Sequence, residues 1–474
     1  MTPLWTAADA MSATGGQATG WDSVSGISID TRELVPGDLF VSLQGISHDG
    51  HVYVAQALEA GAGAAIVSHR PEDVPADAPL LMVGDTLKAL RDLAAAARAR
   101  TKARVIGVTG SVGKTSTKDM LRAMLAGQGQ THAAVRSFNN HWGVPLTLAR
   151  MPADTDFAVI EIGMNNAGEI TPLSQLARLH VALITTVEAV HLENLGTVEA
   201  IADAKAEIFD GLELDGVAVL NADNPHYARL ARAAGDRRIL AFGRAAEAYR
   251  LDRVETSALS TVVQASVRGQ PLTFKLATPG AHFALNALGA LAAAESAGAD
   301  LARAALDLAR WQPPSGRGAR IHINLGPAGI DGRLTLLDES YNANPASLGA
   351  ALDLLAGAKP EGRGRKIAFL GDMLELGPAE DSLHAAMAEH TTISDIDKVH
   401  CCGHRMAHLH RALPPVRRGL WLPDSSELAT ALPKLVDAGD VCMVKGSLGA
   451  KMARVVDAIK GLGAVETQDV DGGA

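Results

Sequence analysis

The sequence predicts an α/β fold in three domains: a small N-terminal α/β unit over residues 1–100, a central parallel-sheet unit over 101–313 and a Rossmann-like unit over 314–474. Three observations carry this. A chain of 474 residues corresponds to about three domains at roughly 150 residues each. Short continuous apolar runs alternate with helical stretches, the pattern of βαβ units whose strands are buried on both faces. The run Trp311-Gln-Pro-Pro-Ser-Gly-Arg-Gly318 holds two prolines and two glycines, which marks a linker or boundary.

In the first unit the apolar runs are 26–29, 39–43 and 64–67, with a helical stretch near 52–60. An Ala-rich helix over 89–100 leads into the second unit. There the strand-like runs are 104–108, 157–160, 181–184 and 217–220. Beyond the boundary, 334–337, 366–370 and 441–444 have the same buried character. The tail, 466–474, is polar and Gly-rich and is expected to fray.

Composition narrows the function. Hydrophobic residues make up 47% of the chain and aromatics 4%, which suits a globular enzyme with several cores and excludes a disordered chain. A net charge of −10 argues against a general nucleic-acid binder, which carries a basic face. Cys401, Cys402 and Cys442 show neither a disulfide framework nor zinc spacing and read as buried or idle thiols. The start lacks the charged and apolar regions of a signal peptide. No apolar run reaches the roughly 18 residues that span a bilayer. The expectation is a soluble cytoplasmic protein without membrane insertion.

The chemistry begins at Thr109-Gly-Ser-Val-Gly-Lys-Thr-Ser116. An apolar strand runs into Gly110, Ser111, Val112, Gly113, Lys114, Thr115 and Ser116, and a helix follows. Glycines let backbone N–H groups turn toward phosphate oxygens, and the helix N-terminus favours an anion. Lys114 can reach the β- and γ-phosphates, and the Thr115 hydroxyl can bind Mg²⁺. The spacing is shortened: the usual four residues between glycines would place a glycine where Val108 stands. A plain Gly-rich turn would not require the Gly-Lys-Thr-Ser run.

Glu161 ends an apolar strand downstream of this loop, where phosphate-loop proteins hold their metal. Alone, such a residue is most often a solvated surface carboxylate. His191 follows the strand-like run 181–184, at the end where α/β active sites gather; a structural histidine is an equal reading. Lys205 lies in a helical pattern and reads locally as a surface lysine. Asp338 ends the run 334–337 and could accept ribose hydroxyls or close an Asx-turn. Gly61-Ala-Gly63 is no dinucleotide fingerprint, because it follows a helix and precedes a strand; it reads as a helix C-cap. No Asn-Lys-x-Asp run occurs, against a GTPase switch.

Together these pieces resemble the Mur ligase family, the ATP-dependent amide-forming enzymes of peptidoglycan synthesis. The resemblance covers nearly the whole chain. Its motifs are Asp30-Thr-Arg32, the loop 109–116, Asn139-Asn140, Glu161-Ile-Gly-Met-Asn165, His191-Leu-Glu193, Ala204-Lys-Ala-Glu-Ile208, Asn286-Ala287, Gly316-Arg-Gly318, Ser340-Tyr-Asn-Ala-Asn-Pro345, Gly371-Asp-Met-Leu-Glu-Leu-Gly377 and Lys445-Gly-Ser447. The Ser340 and Gly371 runs are most similar to members that add D-alanyl-D-alanine to UDP-N-acetylmuramoyl-tripeptide. Another Mur-type or folylpolyglutamate-type ligase is the alternative.

The resemblance implies an N-terminal UDP-substrate domain, a central ATPase domain and a C-terminal ligase domain, in a monomeric enzyme using ATP and two Mg²⁺ ions. It implies that Lys114 contacts the ATP phosphates and that Thr115 and Glu161 bind one Mg²⁺. His191 and a carbamylated Lys205 would bind a second. It places Asn286 at adenine, Arg317 at the γ-phosphate, Asp338 at the ribose with Asn342 nearby, and Asp30, Thr31, Arg32, Asn139 and Asn140 among the substrate contacts. Two departures stand out: Glu339 where the family often has Asp, and Leu448-Gly-Ala where it usually has Arg or a similar polar residue.

Overall fold

The computed structural model describes residues 3–45, 48–134, 136–257, 259–326 and 330–466. Of the tail expected to fray, 467–474 lie outside these.

Each predicted unit is organised on its own sheet. In the first, five strands pair in the order Gln17–Thr19, Leu80–Met82, Ala64–Val67, Asp38–Val41, Gly26–Ser28. All pairings but the first are parallel. Gly61 follows the helix Val54–Glu59 with φ +96°, as a helix C-terminus asks of glycine.

The central sheet has nine strands among the described residues. Arg104–Thr109 lies between Phe157–Glu161 and Leu179–Ile184 and is parallel to both. Leu212–Asn221, Arg238–Gly243 and Tyr249–Thr256 extend it in parallel. Thr261–Val267 and Gln270–Leu276 close that edge antiparallel. Val105, Ile106 and Val108 are fully buried, which is why this segment reads as one continuous apolar run. Strand order reverses at Arg104–Thr109, so a crevice opens beyond its carboxyl end.

The third sheet runs Arg418–Leu422, Lys398–Cys402, Lys366–Gly371, Val441–Lys445, Arg333–Glu339, Ala319–Leu325, Gly463–Val465. Its first five strands are parallel and Ala319–Leu325 is antiparallel to both neighbours. Cys401, Cys402 and Cys442 are free and buried in its core.

The two boundaries differ physically. One apolar cluster joins the first unit (Trp5, Leu39, Leu90, Ala97) to the second (Val105, Leu148, Ile160, Leu179). The helix Thr86–Arg100 seals it: Arg98 Nε donates to Ala177 O at 2.7 Å, and the Arg100 guanidinium lies 4.0 Å over the Trp5 ring. The third unit keeps separate cores. Between it and the second unit lies a cleft lined by polar and apolar groups.

Candidate functional site

The strand Arg104–Thr109 turns sharply into the helix Lys114–Ala126. Gly110 has φ +147°, and a Cβ on it would meet Thr185 Oγ1 at 1.9 Å. Gly113 has φ +84° and precedes the helix; a Cβ there would lie 2.7 Å from Asn286 Nδ2. The two glycines therefore let the loop pass under Thr185 and against Asn286. Thr185 Oγ1 donates to Val112 O at 2.6 Å, and Ser111 N–H donates to Thr186 O at 2.9 Å.

Lys114 Nζ donates to Gly110 O at 2.5 Å and to Ser111 O at 3.4 Å. Burial pulls its pKa down to about 8, against the attraction of Glu161. Thr115 Oγ1 donates to both oxygens of Glu161, and Asn139 Nδ2 donates to Glu161 Oε1 at 2.8 Å. Ser137 Oγ lies 2.9 Å from Thr115 Oγ1 and accepts from Arg317 Nη2 at 3.2 Å. A polar chain thus runs Glu161–Thr115–Ser137–Arg317 from the central sheet to the third unit. The Arg317 guanidinium also lies 4.0 Å over the Tyr341 ring.

A cleft of about 530 Å³ collects these groups. Its wall includes Ser111, Val112, Gly113, Lys114, Ser116, Asn139, Asn140, Glu161, His191 and Asn286 on one side. On the other are Arg317, Glu339, Tyr341, Asn342, Asn344 and Lys445. Most of the residues singled out from the sequence converge here. Gly110 and Thr115 are not on the wall itself; Gly110 holds the turn and Thr115 backs onto Glu161.

Two placements differ from expectation. Lys205, locally a surface lysine, is 2% exposed. It lies on the inward face of the helix Val198–Ala206. Burial pushes its pKa well below the ordinary lysine range, and the Lys114 charge pushes it the same way. Local sequence cannot show which helix face packs inward when the helix is Ala-rich on several sides.

Asp338 does not face the cleft. It is buried, and its carboxylate accepts from Ser315 Oγ (3.2 Å), Gly316 N (3.0 Å), Ser340 N (3.2 Å) and Ser340 Oγ (2.6 Å). Both oxygens hold the boundary turn. The next residue points the other way, as strand alternation requires, so Glu339 reaches the cleft. Glu339 lies 3.6 Å from Lys445 Nζ, which donates to Asn342 O at 2.9 Å. Burial raises the Glu339 pKa despite that partner. Lys445, not singled out from the sequence as a site group, also lines the cleft, and its place at the end of the strand Val441–Lys445 was a usable signal. Ser137 carried none.

Asp30, Thr31 and Arg32 stay apart from the cleft, on the first unit. Arg32 pairs with Asp30 at 2.5 Å and holds the Asp30 carboxyl down to about 2. The adjacent Glu33 pairs with Arg136 of the central unit at 2.5 Å. Asn140 Oδ1 accepts from Gly143 N at 2.9 Å and fixes the turn into the helix Gly143–Ala149.

The donors fit a hard cation. Thr115 and Glu161 offer adjacent oxygens, and Mg²⁺ takes one or two carboxylates plus water and phosphate oxygens rather than an all-protein cage. Among the described residues no three His, Cys, Asp or Glu side chains form such a cage. His191 turns its ring to the cleft, with φ +54°, and its Nδ1 lies 2.6 Å from Glu375 Oε2.

A shortened phosphate loop facing an arginine and a buried carboxylate–lysine pair of a second domain defines a nucleotide-using α/β enzyme whose site forms between domains. Comparison with known proteins sharpens this. The Mur ligase family, catalytic domain model matches residues 23–98, the Mur ligase middle domain 108–294, and the Mur ligase, glutamate ligase domain 328–448. The chain is 36% identical to the UDP-N-acetylmuramoyl-tripeptide–D-alanyl-D-alanine ligase of Escherichia coli, over 94% of this chain and 96% of that protein. It is 36% identical to the Bacillus subtilis ligase of the same name, over 91% and 92%. The crystal structure of MurF from Acinetobacter baumannii superposes with a TM-score of 0.82 at 28% identity, covering 96% of this chain and 99% of that one. The chain belongs to the Mur ligase family.

Proposed function

We infer that this chain joins D-alanyl-D-alanine to UDP-N-acetylmuramoyl-tripeptide at the expense of ATP. The product is the pentapeptide precursor of peptidoglycan. One observation supports this most directly: the loop 110–116 and the third unit's Arg317, Glu339 and Lys445 face each other across a single cleft. An amide ligase needs that arrangement, because a carboxylate does not condense with an amine in water unless it is activated.

In the first step an oxygen of the tripeptide carboxylate attacks the γ-phosphorus. A P–O bond forms, the bond to the β–γ bridging oxygen breaks, and ADP leaves. In the second, the free amine of D-alanyl-D-alanine attacks the acyl phosphate. The C–N bond forms, the C–O bond breaks, phosphate departs and the amine proton is released. Lys114 and Arg317 balance charge on the phosphoryl oxygens. The acyl phosphate must be shielded from water, so the third unit closes on the second, where the cores are separate.

Mg²⁺ bound at Thr115 and Glu161 would polarise the phosphoryl oxygens. His191 and a carbamylated Lys205 are the proposed second metal position. Carbamylation suits Lys205 because burial and the Lys114 charge both disfavour an ammonium there. Glu339, rather than Asp338, is the carboxylate offered to the ribose. Asp30, Thr31 and Arg32 serve the UDP end of the substrate, on the first unit. Domain limits of 1–100, 101–313 and 314–474, a monomer, and a cytoplasmic location complete the reading. Among the described residues no helix is long and apolar enough to cross a membrane.

The test is ADP release with UDP-N-acetylmuramoyl-tripeptide, comparing D-alanyl-D-alanine with single amino acids as acceptors. Turnover with the dipeptide is expected. Turnover only with a single amino acid would assign the chain to a different ligase of the family.

A further inference from the structure

The third unit touches the rim of the phosphate cleft at one unusual point. His191 stands at φ +54° before the short helix Leu192–Leu195. Glu375 stands at φ +65° in the turn after the strand Lys366–Gly371. Neither is a glycine, and the left-handed region is uncommon for other residues, more so for glutamate than for histidine. Yet the two meet across the domain boundary, with His191 Nδ1 at 2.6 Å from Glu375 Oε2. Gly377 brings the backbones together: a Cβ on it would lie 3.3 Å from Glu193 N. Strained residues persist where surrounding structure holds them, and they gather at functional sites.

The contact uses one ring nitrogen only. Nδ1 takes the carboxylate. Nε2 has no hydrogen-bond partner among the described residues, and the ring borders the cleft. A histidine that binds a metal through one nitrogen characteristically donates its other N–H to a carboxylate, which sets tautomer and orientation. Here that carboxylate comes from a different domain than the histidine.

We propose that Glu375 is a positioning residue: from the third unit it holds His191 with Nε2 toward the cleft, so that this metal position is completed only when the two domains are docked. The inference rests on the reading of His191 as a metal-facing group. Its consequence is a coupling of domain closure to metal occupancy, with no residue of the third unit touching the ion.

The test measures Mn²⁺ binding to the full chain loaded with a non-hydrolysable ATP analogue, following free Mn²⁺ by electron paramagnetic resonance. His191→Ala should weaken one Mn²⁺ site. Glu375→Ala should weaken the same site by roughly 10-fold or more, the usual effect of removing such a supporting carboxylate. Glu375→Gln keeps an acceptor oxygen and should weaken the site less than Glu375→Ala does. The double variant should be no weaker than His191→Ala, because Glu375 acts only through the histidine. If His191→Ala weakens the site and Glu375→Ala does not, or if the two losses add, the positioning role is wrong while the metal role of His191 stands. If His191→Ala leaves Mn²⁺ binding unchanged, the metal role of His191 falls and the positioning role with it.

Discussion

The Thr115 hydroxyl donates to both carboxylate oxygens of Glu161, at 3.0 and 3.1 Å. Thr115 is on the phosphate-loop helix, and Glu161 is in register with Val108 on the neighbouring parallel strand. Two hard oxygen donors thereby stand side by side.

Replacing either donor should therefore hurt catalysis through the metal. For Thr115→Val or Glu161→Gln, a loss of ~3 kcal/mol of metal-derived stabilisation corresponds to about a 100-fold slower reaction. Thr115→Ser should keep most of the rate. Phosphate release titrated against Mg²⁺ checks this. A Thr115→Val enzyme with an unchanged Mg²⁺ requirement would remove Thr115 from the metal site.

Asp338 and Glu339 are adjacent but should fail differently. Asp338→Ala strips the partner from Ser315, Gly316 and Ser340 and should cost ~1–3 kcal/mol of stability for each buried group left unsatisfied. Glu339→Ala removes the counter-charge of the buried Lys445 and should cost some stability as well, but its distinguishing effect should be weaker ATP binding. Thermal midpoints and calorimetric ATP affinity, measured on both variants, separate the two roles. The reverse pattern would return the ribose contact to Asp338.

Lys205→Ala should lose most turnover. A buried lysine that also feels the Lys114 charge is costly as a cation, whereas its carbamate would offset that charge and add oxygen donors. The modification joins the neutral amine to CO₂ and releases a proton. Enzyme equilibrated with ¹³C-bicarbonate should show a carbamate carbon signal that Lys205→Ala lacks. Near-normal turnover of the variant would remove the carbamate.

Stability should fall as the solution is acidified through one histidine of the third sheet. His400 Nδ1 accepts from Leu420 N at 3.0 Å, and the ring stacks on Phe369 at 5.2 Å. Burial pulls its pKa down to about 4. Unfolded, it would protonate near pH 6.5. Between these values the unfolded chain binds the extra proton, so this stabilisation is complete above about pH 6.5 and drains away toward pH 4. His180 and His282 are also pulled down to about 4 and act in the same sense. The melting temperature of His400→Gln should change less steeply over this window. An identical slope would mean His400 stays exposed to protons in the fold.

Much of the architecture was legible because it is written locally. Continuous apolar runs such as 104–108 mark strands buried on both faces, and Gly110 and Gly113 mark a turn that only glycine makes without strain. The two prolines and two glycines of 311–318 mark the break before Arg317. Pro345 was part of a recognisable motif, and the fold gives it a structural reason: Asn344 and Ser347 form a capping box that starts the helix Pro345–Ala356.

The sequence by itself determined the α/β class and the phosphate loop, since these depend on periodicity and spacing over a few positions, whereas Asn139, Asn140, Asn286 and Arg317 stood out only through the resemblance to the Mur ligases. Only the tertiary structure decided which of two adjacent carboxylates faces the cleft, that Lys205 is buried where the Lys114 charge acts on it, and that Glu375 reaches His191. Each of those depends on how one element is rotated against another far off in the chain, 184 residues away for His191 and Glu375. Strand alternation turns Asp338 and Glu339 to opposite sides, but only the packing of the third unit on the second says which side lines the cleft.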